Sequence, residues 1–188
     1  MTGPTLLDPD DSVLLVVDMQ TRLSASMPAE AWAHARDGAI LLARAATELD
    51  LPVIATRQYP RGLGDTDADV AAALPDHAAT VDKTCFSAAG ADAVREALAM
   101  TGRRQVVICG MEAHVCVLQT AAGLAADAWV PFVVADAVCS RSEVHRGNAL
   151  ERLRDGGVAV TNRESCLFEW LRDARHERFK AVSALLRP

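Results

Sequence analysis

The sequence predicts an α/β fold: a single-domain, doubly wound (Rossmann-like) sheet of about six parallel strands with helices on both faces. Short apolar segments rich in Val, Ile and Leu alternate along the whole chain with longer segments of helical periodicity. The apolar segments show no alternation of polar and apolar residues, which is typical of strands covered on both faces of a parallel sheet. The intervening helices supply the right-handed crossovers that such strands require. We therefore expect one domain over residues 1–188, with its core at about 11–172.

Six segments are predicted as strands and six as helices. The strands are residues 13–17, 53–56, 79–81, 105–109, 131–135 and 158–161. The helices are residues 29–49, 91–100, 115–126, 143–154, 164–172 and, at the C-terminus, 176–186. Ser140 and Thr161 each precede a Glu by three residues, a spacing that predicts a capping box at the start of two of these helices.

Composition and charge exclude several classes of protein. The net charge is -6 and the basic residues are dispersed, so we expect no nucleic-acid partner. The apolar segments are far shorter than the roughly 20 residues that span a bilayer, so we expect no membrane partner. Residues 1–11 lack the pattern of a signal peptide, and the five cysteines show no paired spacing. Both observations indicate reduced thiols and a cytoplasmic location.

Chemically reactive residues follow three of the predicted strands. Asp18 comes directly after the first strand, Lys83 follows the third, and Cys116 follows the fourth at the start of a predicted helix. Ligands of doubly wound sheets bind at the carboxyl ends of the strands, so these side chains are expected to meet. A helix N-terminus and a nearby ammonium would both lower the pKa of the Cys116 thiol. Each residue also has an ordinary structural role, and spacing alone supports a catalytic triad and a structural arrangement equally.

Four segments resemble a known family. They are LLVVDMQ at 14–20, KTCFS at 83–87, CGMEAHVCVLQTA at 109–121 and DAVCSRS at 136–142. Together they resemble the isochorismatase-like cysteine hydrolases, in the family order and over about residues 11–171. The segment QYPRGLG at 58–64 is most similar to the branch called isochorismatase domain-containing proteins.

This resemblance implies a function and a set of site residues. It implies a catalytic triad of Asp18, Lys83 and Cys116, and a non-proline cis peptide between Met111 and Glu112. In the family this bond directs backbone N–H groups, here those of Glu112 and Cys116, at an oxyanion. The implied reaction is hydrolysis of a small amide, ureide or carbamoyl compound through a thioester. The resemblance implies no cofactor. It does imply that the protein forms a homo-oligomer.

Departures from the family pattern narrow the substrate. Nicotinamidases of the family carry an Asp-x-His sequence for a metal after the second strand, whereas this segment contains no histidine. We therefore expect no metal. Isochorismatases proper lack the nucleophilic cysteine, so vinyl-ether hydrolysis is also disfavoured. Gln58, Tyr59 and Arg61, in the predicted loop after the second strand, and His114 are candidate substrate contacts, with loop exposure and turn stabilisation as the alternatives.

Other interpretations of the cysteines stay open. A cysteine of low pKa also reacts with peroxide, so a thiol redox or detoxifying protein is one alternative function. A catalytically silent binding scaffold is another. Cys85, Cys109 and Cys139 are expected to be buried structural thiols.

Overall fold

The computed structural model describes residues 5–186 and contains, within them, a sheet of six parallel strands. The strands are β1 (Ser12–Val17), β2 (Val53–Gln58), β3 (Ala79–Lys83), β4 (Gln105–Met111), β5 (Val130–Cys139) and β6 (Ala159–Thr161). Their order is β3-β2-β1-β4-β5-β6, which confirms the predicted doubly wound sheet. The direction of winding reverses between β1 and β4, so the crevice for a ligand is expected there. Residues 1–4 and 187–188 lie outside the described part of the chain.

Nine α-helices of the described residues surround the sheet. They are α1 (Thr21–Ser24), α2 (Ala29–Glu48), α3 (Pro60–Leu63), α4 (Ala68–Ala73), α5 (Asp92–Met100), α6 (Leu118–Ala126), α7 (Glu143–Asp155), α8 (Arg163–Leu171) and α9 (Phe179–Ala184). The helices α1, α3 and α4 were not predicted, because four to six residues are too few to show helical periodicity. Between residues 5 and 186 we find no helix whose length and apolarity would suit a bilayer crossing.

Successive residues of the central strands face two separate apolar layers. Leu14 and Val16 of β1 pack with buried residues of α2 and α8. Val13, Leu15 and Val17 pack on the opposite face with α5, α6 and α7. Burial on both faces explains the unbroken apolar sequence of β1, since each side chain has a helix layer to pack against.

Both predicted capping boxes are wrong. The residue that precedes α7 is Ser142, and Ser140 instead lies within hydrogen-bond distance of His114. The residue that precedes α8 is Asn162, whose side chain accepts a hydrogen bond from the backbone N–H of Ser165 at 2.8 Å. Thr161 is the last residue of β6, so its backbone is committed to the sheet.

Strand β5 is longer than predicted because it contains a bulge. Ile108 of β4 pairs with Val133, but Gly110 pairs with Val138, so β5 has extra residues between the two pairs. Helix α2 packs closely on this bulge. A Cβ at Gly38 would lie 2.8 Å from the Ala137 Cβ, which explains why the helix carries a glycine there.

Gly110 lies where two central strands approach too closely for a side chain. Its φ is +121°, and a Cβ there would lie 2.0 Å from the Val17 carbonyl oxygen. We expect Gly110→Ala to lower the free energy of unfolding by about 3 kcal/mol, measured by urea denaturation. Gly102→Ala is the control, because Gly102 also has a positive φ but no atom within 4 Å of its Cβ position. It should cost about 1 kcal/mol, and equal losses for the two variants would contradict the steric explanation.

Candidate active site

The C-terminal parts of three strands bring together a carboxylate, an ammonium group and a hydroxyl group. Asp18 follows β1 with a left-handed backbone (φ 51°), and Lys83 is the last residue of β3. The Lys83 Nζ donates to Asp18 Oδ2 at 2.6 Å, and both side chains are fully buried. The Thr56 hydroxyl of β2 donates to the other carboxylate oxygen, Asp18 Oδ1, at 2.7 Å. Both oxygens of Asp18 are therefore held in place.

Cys116 lies inside a π-helical turn, Ala113–Val117, that connects β4 to α6. Burial and, second to it, the negative charge of Asp18 raise the pKa of the Cys116 thiol to about 12. The charge of Lys83 and a backbone hydrogen bond from Glu112 act in the opposite direction but are weaker. The predicted lowering of this pKa is wrong. The thiol is 4% exposed, and the turn begins three residues before it, so Cys116 does not occupy a free helix N-terminus.

The segment before the nucleophile candidate is anchored through Glu112. The peptide bond between Met111 and Glu112 is cis. The Glu112 carbonyl oxygen accepts hydrogen bonds from the backbone N–H groups of Val115 and Val117, at 3.1 and 3.2 Å. The Glu112 side chain accepts three hydrogen bonds from the Arg141 guanidinium, the shortest at 2.6 Å, and one from the Arg141 backbone N–H at 2.9 Å.

The Glu112 carboxylate keeps its charge although it is buried. Burial raises the pKa of Glu112, but the hydrogen bonds and positive charge of Arg141 outweigh this and hold the pKa below its usual value. The ion pair joins the end of β4 to the segment after β5, which borders the turn of Cys116. Sequence reasoning did not single out Arg141, although this residue lies in the segment DAVCSRS that carries part of the family resemblance.

His114 lies in the turn beside Cys116 but contacts protein groups. Its Nδ1 lies 3.0 Å from the Ser140 Oγ, and its ring centroid lies 4.8 Å from that of His145. Burial lowers the pKa of His114, so its imidazole is neutral at pH 7. These contacts match the predicted role of His114 in stabilising the turn, and its contact with substrate stays a prediction.

The three candidate substrate contacts after the second strand occupy different environments. The prediction that Gln58 lies in a loop is wrong. Gln58 is the last residue of β2 and is buried. Its side chain contacts Lys83 and Thr84, so the protein itself uses both ends of the amide. Tyr59 has a left-handed backbone (φ 38°) and an exposed ring, and Arg61 is exposed in α3.

Tyr59 and Arg61 line a cavity that reaches Lys83. The cavity has a volume of about 600 Å³ and is also bordered by Thr84 and Cys85. Asp18 and Cys116 are not among the residues that line it. Cys85 is exposed, which contradicts the predicted burial, since the chain crosses the surface after Lys83. Cys109 and Cys139 are buried, as predicted.

Two further groups of the site have no strong sequence signal. Gln20 is fully buried two residues after Asp18, and its amide hydrogen-bonds to the backbone of Gln58. Thr56 could have been singled out only as a polar residue within an apolar strand. Between residues 5 and 186, no group of three or more His, Cys, Asp or Glu side chains is placed to hold a metal ion.

Comparisons with known proteins extend over nearly the whole chain. The family profile of the Isochorismatase domain matches residues 12–165. Isochorismatase domain-containing protein 2 of Xenopus laevis is 36% identical over 178 residues, 93% of this chain and 83% of that protein. A Caenorhabditis elegans structure described as MAR1 ribonuclease has a TM-score of 0.90 at 31% identity, over 97% of this chain and 92% of that one. YcaC from Pseudomonas aeruginosa, solved with hexane-2,5-diol and covalent acrylamide, has a TM-score of 0.90 at 25% identity, over 98% and 93%.

Proposed function

Because the chain belongs to the isochorismatase-domain family, we propose that it is a hydrolase in which Cys116 is the nucleophile, Asp18 the general base and Lys83 a fixed positive charge. The proposed substrate is a small amide, ureide or carbamoyl compound. The observation that supports this most is the fully buried contact of 2.6 Å between Lys83 and Asp18, whose charges both act on the Cys116 thiol. A buried ion pair beside a thiol at the topological switch point is a favourable place for acyl transfer.

The protonation of the thiol gives Asp18 its role. With a pKa of about 12, Cys116 carries its proton at neutral pH, and a thiol is a poor nucleophile. A base must therefore remove the proton as the sulphur attacks. Asp18 is suited to this, because its carboxylate acts on the thiol while Thr56 and Lys83 hold both of its oxygens.

The proposed reaction has two balanced halves. In the first, the proton of Cys116 moves to Asp18, the sulphur bonds to the carbonyl carbon, and the amine or ammonia leaves with that proton. In the second, Asp18 takes a proton from water, the hydroxide attacks the thioester, and the acid product leaves as the sulphur regains the proton. Lys83 does not exchange a proton in either half and remains the hydrogen-bond donor to Asp18 as the carboxylate gains and loses its proton.

The backbone before the nucleophile is the proposed oxyanion site. The N–H groups of Glu112 and Cys116 would donate to the carbonyl oxygen as it becomes negative. Such donors are useful only if they do not move during the reaction. The ion pair of Glu112 with Arg141, and the hydrogen bonds from Val115 and Val117 to the Glu112 carbonyl, support such rigidity.

The comparisons add one observation on reactivity and raise one alternative. Acrylamide, which alkylates thiols through its alkene, is covalently attached in the Pseudomonas aeruginosa structure, in keeping with a reactive nucleophile in that protein. The Caenorhabditis elegans relative is described as a ribonuclease, so RNA hydrolysis is an alternative. The net charge of -6 favours a small molecule, since RNA-binding surfaces are generally basic. A homo-oligomer and a cytoplasmic location stay predictions, and light scattering in solution tests the first.

The test is a substrate screen with the purified protein. We expect ammonia release from at least one member of a panel of primary amides, ureides and carbamoyl compounds, and no cleavage of a fluorescent single-stranded RNA. Cys116→Ala should release no ammonia from that compound. Cys166→Ala is its matched control, because Cys166 is a buried thiol of α8, away from the site. It should keep the full rate. RNA cleavage without ammonia release would replace this proposal with the alternative.

A further inference from the structure

The Lys83 ammonium has more hydrogen-bond acceptors than it has protons. Its Nζ lies 2.6 Å from Asp18 Oδ2, 2.8 Å from Gln58 Oε1, 3.1 Å from the Phe86 carbonyl oxygen and 3.3 Å from that of Cys85. An ammonium group has three N–H donors, so none is free for a substrate. Lys83 therefore acts through its charge and position, and the acceptor that sets this position matters.

Gln58 supplies the shortest contact to Lys83 after Asp18, and its amide can face only one way. Its Nε2 donates to the Thr84 carbonyl oxygen at 2.7 Å. A carbonyl cannot donate, so the nitrogen must face Thr84 and the oxygen must face Lys83. A glutamate at this position would have no proton for Thr84 and would add a second negative charge beside Lys83.

Gln20 in turn holds the backbone of Gln58. Its Oε1 accepts a hydrogen bond from the Gln58 N–H at 2.7 Å, and its Nε2 donates to the Gln58 carbonyl at 3.0 Å and to that of Gly64 at 2.7 Å. The side chain of Gln20 thus acts as an additional strand partner at the end of β2. Gln20 is fully buried and Gln58 nearly so, so water does not compete for these bonds.

We propose that Gln58 is a positioning residue that fixes the Lys83 ammonium against Asp18, and that Gln20 fixes Gln58. The position of the Lys83 ammonium affects the Cys116 thiol, because the charges of Asp18 and Lys83 both act on that thiol. Asp18 and Lys83 together carry no net charge. Gln58 adds a hydrogen bond to the ammonium without disturbing this balance, which a carboxylate would do. The relevance of Gln58 to turnover rests on the proposed function. The effect of Gln58 on the reactivity of the Cys116 thiol does not rest on it.

The experiment measures the rate at which acrylamide alkylates Cys116, by intact mass from pH 6 to 9. All variants carry Cys85→Ala, so that the exposed thiol does not compete. We expect Gln58→Met to lower the rate about tenfold, the loss of one hydrogen bond to a charged group. Gln58→Glu should displace the pH profile to higher pH, because an added negative charge opposes loss of the thiol proton. In an Asp18→Asn, Lys83→Met background, Gln58→Met should change nothing.

Gln105→Glu is the matched control. Gln105 is a buried glutamine whose amide is also used at both ends, but it begins β4, about 20 Å from the carboxyl end of that strand. It should lower stability and leave the profile unchanged. The proposal would be overturned if Gln58→Met had the alkylation rates of the wild-type protein, or if Gln58→Met lowered the rate equally in the background that lacks Lys83. If Gln58→Met does not fold, the proposal would be overturned by a Gln58→Glu variant whose pH profile of alkylation matches that of the wild-type protein. Alkylation needs no substrate, so failure of the hydrolase proposal would leave this result intact.

Discussion

Replacing Cys116 with alanine is expected to reduce turnover about 10⁴-fold or more while the protein stays folded. The proposed reaction passes through a bond to this sulphur, and removing a nucleophile typically costs rate factors of this size. Circular dichroism should be unchanged in shape, because alanine fits the space of a cysteine. The measurement is the rate of ammonia release on whichever compound the screen identifies.

Trapping gives the same prediction a direct readout. Rapid acid quenching of the wild-type protein during turnover should yield a species heavier by the acyl group, and peptide mapping should place the added mass on Cys116. The alanine variant should yield none. A Cys116→Ala protein that turns over at the wild-type rate, or an acyl group found on Cys85, would assign the nucleophile elsewhere.

Replacing Lys83 with methionine is expected to lower the free energy of unfolding by about 3–5 kcal/mol. Asp18 and Lys83 are fully buried at 2.6 Å, so the variant would leave a carboxylate in the interior without its counter-charge. Changing both residues, in Asp18→Asn, Lys83→Met, should recover most of the loss, because no buried charge then remains. Urea denaturation of the single and double variants measures the difference.

A surface ion pair of the same length provides the control. Arg57 Nη1 lies 2.6 Å from Asp65 Oδ1 and its Nε lies 2.7 Å from Asp82 Oδ1, but all three side chains are partly or largely exposed. Arg57→Met should therefore cost no more than about 1 kcal/mol. Similar losses for Arg57→Met and Lys83→Met would show that burial does not determine the contribution of the Asp18–Lys83 pair.

The part of the site that sequence reasoning predicts depends on backbone topology. Asp18 and Cys116 follow apolar strands and Lys83 ends a third strand, and parallel strands place such residues at one edge of the sheet. The fold is predictable for the same reason, because β-branched apolar segments and helical periodicity are local properties. Helix α4 was missed, although Asp67, whose side chain caps it, offered a signal.

The rest of the site depends on packing, which local patterns do not encode. The protonation of Cys116 follows from its burial, and burial is decided by elements distant in the chain. The role of Gln58 follows from the direction of one amide group, which the carbonyl of Thr84 determines. The length of β5 follows from a bulge, and the bulge contains Asp136, a charged residue at which an apolar strand pattern ends.

The place of β1 in the sheet has a consequence for how the protein folds. Leu15 of β1 pairs on one side with Ile54 and on the other with Ile108, so its second neighbour is much farther away along the chain than its first, and the pairing with β4 has to close a longer loop. Until β4 inserts, β1 exposes an apolar edge that can pair with another chain. Refolding from urea should therefore lose yield as protein concentration rises. A thiol at Cys116 acquires its unusual environment only when this last central pairing is complete.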